Sequence, residues 1–95
     1  MSERVTIAAD SVPRLPRGVR LQFDKLRDKW VVQAPERLFE PDAIAVEIIK
    51  RCNGEASVAA IVDDLAKTFE ADRAVIERDV NALLQDLADK GVMTA

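Results

Sequence analysis

Val19, Leu21 and Phe23 alternate with Arg20, Gln22 and Asp24, the two-residue period of a strand with one buried face. A first strand is therefore expected from Val19 to Phe23. A charged connection, Asp24 to Lys29 around Leu26, leads into the β-branched and aromatic run Trp30 to Ala34, and so short a separation predicts an antiparallel hairpin. Pro35 and Glu36 break that run, and Arg37 to Glu40 resumes as a brief third strand. Its adjacent apolar residues, Leu38 and Phe39, point to opposite faces, so the strand calls for cover on both sides, one of them from outside the chain. At the end of a three-stranded meander it also leaves a row of unpaired backbone donors and acceptors.

The period then changes. Pro41 suits the first turn of a helix, where its missing N–H costs nothing. Ala45, Ile48, Ile49 and Cys52 recur at three and four, predicting a helix from Pro41 to Cys52 that stops at Asn53-Gly54. Ser57 is a good N-cap for a second helix, with Val58, Ile61, Val62, Leu65 and Phe69 on one face. Asp72 can cap a third, the longest, striped by Ile76, Val80, Leu83, Leu84 and Leu87 and ended by Gly91. The predicted fold class is α+β: a three-stranded antiparallel sheet followed by three helices, winged helix-turn-helix-like, spanning 18–95. Residues 1–17 have no steady period and are expected to form a flexible segment that settles onto the domain near Val12 to Leu15.

Composition narrows the chemistry. The chain has 95 residues, 48% of them hydrophobic, enough for one core without disulfides. It contains no histidine and a single cysteine, which removes the commonest general base and the usual transition-metal ligand sets. No catalytic residue, metal site or cofactor is expected. Cys52 lies within the apolar helical pattern and reads as a small buried hydrophobe rather than a reactive thiol. Asp63 and Asp64 are neighbours on a helix and cannot both face one site, so they read as solvated surface. Trp30 reads as a sheet-packing residue rather than a ligand platform. The apolar start Val5 to Ala9 is too short for a secretory signal, so a reducing cytoplasm is the expected location.

Charge is uneven. Eight basic residues face five acidic ones through Arg37 (net +3), and six face twelve from Leu38 onward (net −6). A winged helix invites a DNA-binding reading, and a transcriptional regulator is the main alternative; yet the third helix carries Asp72, Glu77, Asp79, Asp86 and Asp89 against Arg73, Arg78 and Lys90, a balance that repels a duplex. A dimerisation module using the edge strand is a third reading. The stronger candidate is a groove between the third strand and the third helix, where an extended peptide can add as a strand. Its expected residues are Arg37, Leu38 and Phe39 on the edge and Ile76, Val80 and Leu83 on the stripe. Arg37 is expected to steer acidic peptide residues, and a charge placed at Val80 to weaken binding.

Three stretches carry a family resemblance: Pro13 to Leu21 (Pro-Arg-Leu-Pro-Arg-Gly-Val-Arg-Leu), Trp30 to Arg37 (Trp-Val-Val-Gln-Ala-Pro-Glu-Arg) and Leu84 to Gly91 (Leu-Gln-Asp-Leu-Ala-Asp-Lys-Gly). Together they resemble the PqqD family, over about Val12 to Met93. The resemblance implies a peptide chaperone of pyrroloquinoline quinone (PQQ) biosynthesis, not an enzyme, which binds the ribosomal precursor peptide PqqA. It further implies presentation of PqqA to the radical S-adenosylmethionine (SAM) enzyme PqqE, which cross-links a Glu and a Tyr of the peptide. The family is also similar to the leader-recognition domains of peptide-modifying enzymes, which hold the leader beside the third strand and third helix.

Overall fold

The computed structural model describes residues 6–95. Strands β1 (Arg20–Asp24), β2 (Lys29–Ala34) and β3 (Arg37–Phe39) form an antiparallel sheet in the order β1-β2-β3. Helices α1 (Ala43–Lys50), α2 (Val58–Thr68) and α3 (Arg73–Asp89) follow. The architecture is the α+β, winged-helix-like one that the periodicities predict, with β1 and the first helix each starting one or two residues later than expected.

The α1 start has a clear cause. Asp42, not Pro41, is the N-cap: its carboxylate accepts the Ala45 N–H at 2.8 Å. Ser57 and Asp72 cap α2 and α3 in the same way, through the Ala60 and Ala74 N–H groups. These side chains satisfy first-turn donors that have no partner within the helix. The end of α3 needs a left-handed residue, and Gly91 supplies it at φ 77° while the Val92 N–H bonds back to the Leu87 carbonyl at 2.9 Å.

The sheet packs one face on the helices. Leu21, Val32 and Phe39 stand opposite one another in a row across the three strands, and all three belong to or pack on a core of Ile48, Ile49, Cys52, Ile61, Val62, Leu65, Val80, Leu84 and Leu87. The next row, Arg20, Gln33 and Leu38, lies on the other face and is exposed. Trp30 meets Phe23 edge-on at 5.6 Å, and the Lys50 ammonium of α1 lies 4.6 Å from its ring centre. This tryptophan is held within the fold on two sides, which suits the packing role expected of it.

The N-terminal stretch is bound to the domain further back than Val12 to Leu15. The Ala9 and Ser11 carbonyls accept the Ala59 and Val58 N–H groups at 3.0 and 2.8 Å, and the Ile7 N–H donates to Gln85 at 2.9 Å. Arg14 and Thr94 exchange two backbone bonds, and Pro13 is fully buried. The helix N-terminus explains this docking, because its unpaired N–H groups donate to any backbone carbonyl that can reach them. Residues 1–5, the rest of the expected flexible segment, lie outside the described residues.

Candidate peptide-binding groove

The outer edge of β3 has no neighbouring strand among the described residues. The hairpin joining it to β2 has only Pro35 and Glu36 in its turn, with Glu36 at φ 63°. Pro followed by a left-handed residue is the arrangement of a type II turn. In a two-residue hairpin the closing pair, here Ala34 and Arg37, exchanges hydrogen bonds and the next pair, Gln33 and Leu38, does not. Alternation therefore turns the Leu38 N–H and C=O outward, towards any added strand. Its side chain is 43% exposed, whereas Phe39 is half-buried against the core.

Where β3 meets α3 is narrower than the spacing suggests. The Arg37 guanidinium donates to the Lys90 carbonyl at the end of α3 at 2.7 Å, and both Arg37 and Lys90 flank the Phe39 ring, at 5.6 and 5.7 Å. A cation at the C-terminal end of a helix is favourable, so Arg37 locks the sheet to α3 in addition to any steering role.

The expected stripe residues separate. Val80 is 0% exposed and belongs to the core, so a charge there would attack the fold rather than the groove. Ile76 and Leu83 are half-buried and line two adjoining hollows between α1 and α3. One, of about 180 Å³, is bounded by Asp42, Ile44, Ala45, Ile48, Asp79 and Leu83. The other, of about 160 Å³, is bounded by Ile44, Ile48, Leu65, Phe69, Ala71, Ile76, Asp79 and Val80. They share Ile44, Ile48 and Asp79, and Asp42, three residues beyond β3, lines the first. Ile76 and Leu83 thus border an apolar trough that has Val80 in its wall, whereas Arg37, Leu38 and Phe39 line neither hollow, and Arg37 and Phe39 meet α3 at Lys90 instead.

Sequence reasoning missed Ile44, Phe69 and Asp79. Ile44 is 61% exposed and Phe69 51%. Ile44 stands beside the Ala45, Ile49 and Cys52 positions rather than among them. An apolar residue off the buried stripe of an amphipathic helix is the signal that could have found it.

Among the described residues no group of acidic, cysteine or histidine side chains is placed to hold a metal ion. The lone thiol, Cys52, is buried, donates to the Ile48 carbonyl at 3.3 Å, and is pushed by burial up to about 12, far from a nucleophile's range. The described residues present an open β3 edge and, separately, an apolar trough among α1, α2 and α3.

Known proteins carry the same pattern. The family described as "Coenzyme PQQ synthesis protein D (PqqD)" matches residues 29–93. A "PqqA binding protein" of Rhodopseudomonas palustris strain TIE-1 is 56% identical over 91 residues, covering 96% of this chain and 89% of its own length. A "bifunctional coenzyme PQQ synthesis protein C/D" of Methylorubrum extorquens is 45% identical over 92 residues, which are 97% of this chain and 25% of that protein. The solution structure of the PqqD truncation of Methylobacterium extorquens PqqCD is described as a functional, stand-alone recognition element for ribosomally synthesised and post-translationally modified peptides (RiPPs). It superposes with a TM-score of 0.83 at 44% identity, covering 99% of this chain and 100% of that one. The crystal structure of PqqD from Xanthomonas campestris gives a TM-score of 0.58 at 48% identity, over 90% and 96% of the two chains. With a fold, a sequence and a matched region in common, this chain belongs to the PqqD family.

Proposed function

We propose that the chain is a peptide chaperone of PQQ biosynthesis, which binds the precursor peptide PqqA as a strand added to β3 and presents it to the radical SAM enzyme PqqE. The observation that carries this reading is the open β3 edge, with the Leu38 backbone turned outward and Arg37 bonded to the end of α3, the helix whose Ile76 and Leu83 border an apolar trough. The names of the relatives, PqqA binding protein and RiPP recognition element, support the choice of peptide. The one free thiol, buried and unactivated, suits the reducing cytoplasm in which such a step would run.

The energetics ask for both features. A disordered peptide that orders on binding gives up roughly 2–5 kcal/mol, so a micromolar complex near −8 kcal/mol needs apolar burial beyond main-chain bonds. The trough supplies that burial. An amide NMR titration with synthetic PqqA is the test. Shifts are expected at Leu38, Phe39, Ile44, Asp79 and Leu83; shifts confined to the Gly54 turn and the first turn of α2 would sink the docking. A radical SAM assay with PqqE and PqqA, run with and without the protein, tests presentation: cross-linking unaffected by its omission opposes the role.

A further inference from the structure

Asp79 is the one polar residue common to both hollows of the trough, and Asp42 also lines the first. Among the described residues neither carboxylate has a close, shielded cationic partner. Asp42 accepts the Ala45 N–H and makes no ion pair among those residues. The ion-pair partner of Asp79 is its sequence neighbour Arg78, at 3.7 Å and with its side chain 76% exposed, a pairing of little strength. The walls around these charges are apolar: Ile44, Ile48, Phe69 and Ile76. A cation brought against such a wall meets less competing water than on an open surface, so its attraction to Asp79 grows as the trough fills.

We propose that the trough is a specificity subsite that takes one bulky apolar side chain of the bound peptide and pairs a basic side chain beside it with Asp79 and Asp42. The inference rests on the proposed function and deepens it: β3 supplies sequence-independent backbone pairing, and the trough selects a residue pair, apolar next to cationic. Ile44, more than half exposed, would be the wall that gains most from the apolar partner. Beside Phe39, by contrast, Arg37 and Lys90 flank the ring, Lys90 being paired with Asp86 at 2.8 Å.

The test is a calorimetric double-mutant cycle on the full chain. It uses synthetic PqqA and PqqA peptides in which each basic side chain in turn is replaced by Gln. Asp79→Asn is expected to weaken PqqA by about two- to fivefold, and this loss should vanish against one of the neutralised peptides. Asp42→Asn, which keeps a good N-cap, should couple to the same peptide position. Ile44→Ser should weaken every peptide, by about fivefold. The subsite is overturned if both Asp variants bind every peptide as the wild type does, or lose the same factor against all of them. A wild type that binds no PqqA at all would sink the proposed function, and the subsite with it.

Discussion

Cys52 and Val80 show what burial does to two single residues. The Cys52 thiol is held up at about 12 by burial, so in the folded chain it stays neutral where an unfolded thiol, near 8.5, would ionise. Above that lower value the unfolded state binds fewer protons than the folded one, and stability falls as pH rises. The loss attributable to Cys52 should approach about 1.4 kcal/mol per pH unit above pH 9. Urea melts at pH 7 to 10.5 should therefore show a steeper decline for the wild type than for Cys52→Ala. Equal slopes would contradict it. At pH 7 the Cys52→Ala change should cost only about 1 kcal/mol and leave peptide binding within a few-fold. Val80 is a different case, because a carboxylate at a site with no exposure must lose its hydration without a partner. Val80→Glu should abolish the cooperative thermal transition, whereas Ile44→Ser should keep it. A folded Val80→Glu protein would overturn the assignment of this residue to the core.

The elements themselves were largely legible, and the groove only half so. Alternation located β1, a β-branched and aromatic run located β2, and Ser57 and Asp72 located the starts of α2 and α3, because those signals are local: a period, a composition and a capping oxygen. The stripe on α3 was legible as a stripe but not as a division of labour. Ile76, Val80 and Leu83 share a face by spacing alone, and only the approach of α1 and α2 decides that Val80 is sealed while the other two border open space. Ile44 escaped notice for the same reason, since its value lies in the element opposite. The edge strand makes its own prediction. Pro is tolerated on a strand edge where the lost N–H faces solvent, and the Leu38 N–H faces outward. Leu38→Pro should therefore keep the fold yet weaken PqqA binding more than Leu38→Ala does, by about tenfold against a few-fold. Equal effects in a binding titration would argue that side chains alone hold the peptide. The α2–α3 turn offers a second check: Glu70 takes φ 49° there, a left-handed conformation that costs a side-chain-bearing residue about 1 kcal/mol. Glu70→Gly should raise the melting temperature by a few degrees.

At the scale of the whole molecule, residues 7–14 tie the start of α2, Gln85 of α3 and Thr94 together. Ala9 and Ser11 bring their carbonyls to the first two N–H groups of α2, and Ser57 serves the third through Ala60. Helix α2 thus has its first turn satisfied partly by residues some fifty positions earlier, a long-range dependence that no local pattern in 1–17 announces. Arg14 then joins Thr94, so the same stretch also pins the tail that follows α3. The trough lies at the other end of α2, against Leu65 and Phe69. Stability and binding should therefore separate on truncation. Deleting residues 1–12 removes both carbonyls and the partly buried Ile7. At about 0.5–1.5 kcal/mol for each bond, with some apolar burial added, the loss should be about 2–4 kcal/mol. For a domain of this size that lowers the melting temperature by roughly 10 °C or more. PqqA affinity, measured where the truncated chain is still folded, should stay within about twofold of the full chain. An unchanged melt would show that the stretch does not support α2. Binding lost from a folded truncation would show that it reaches the groove after all.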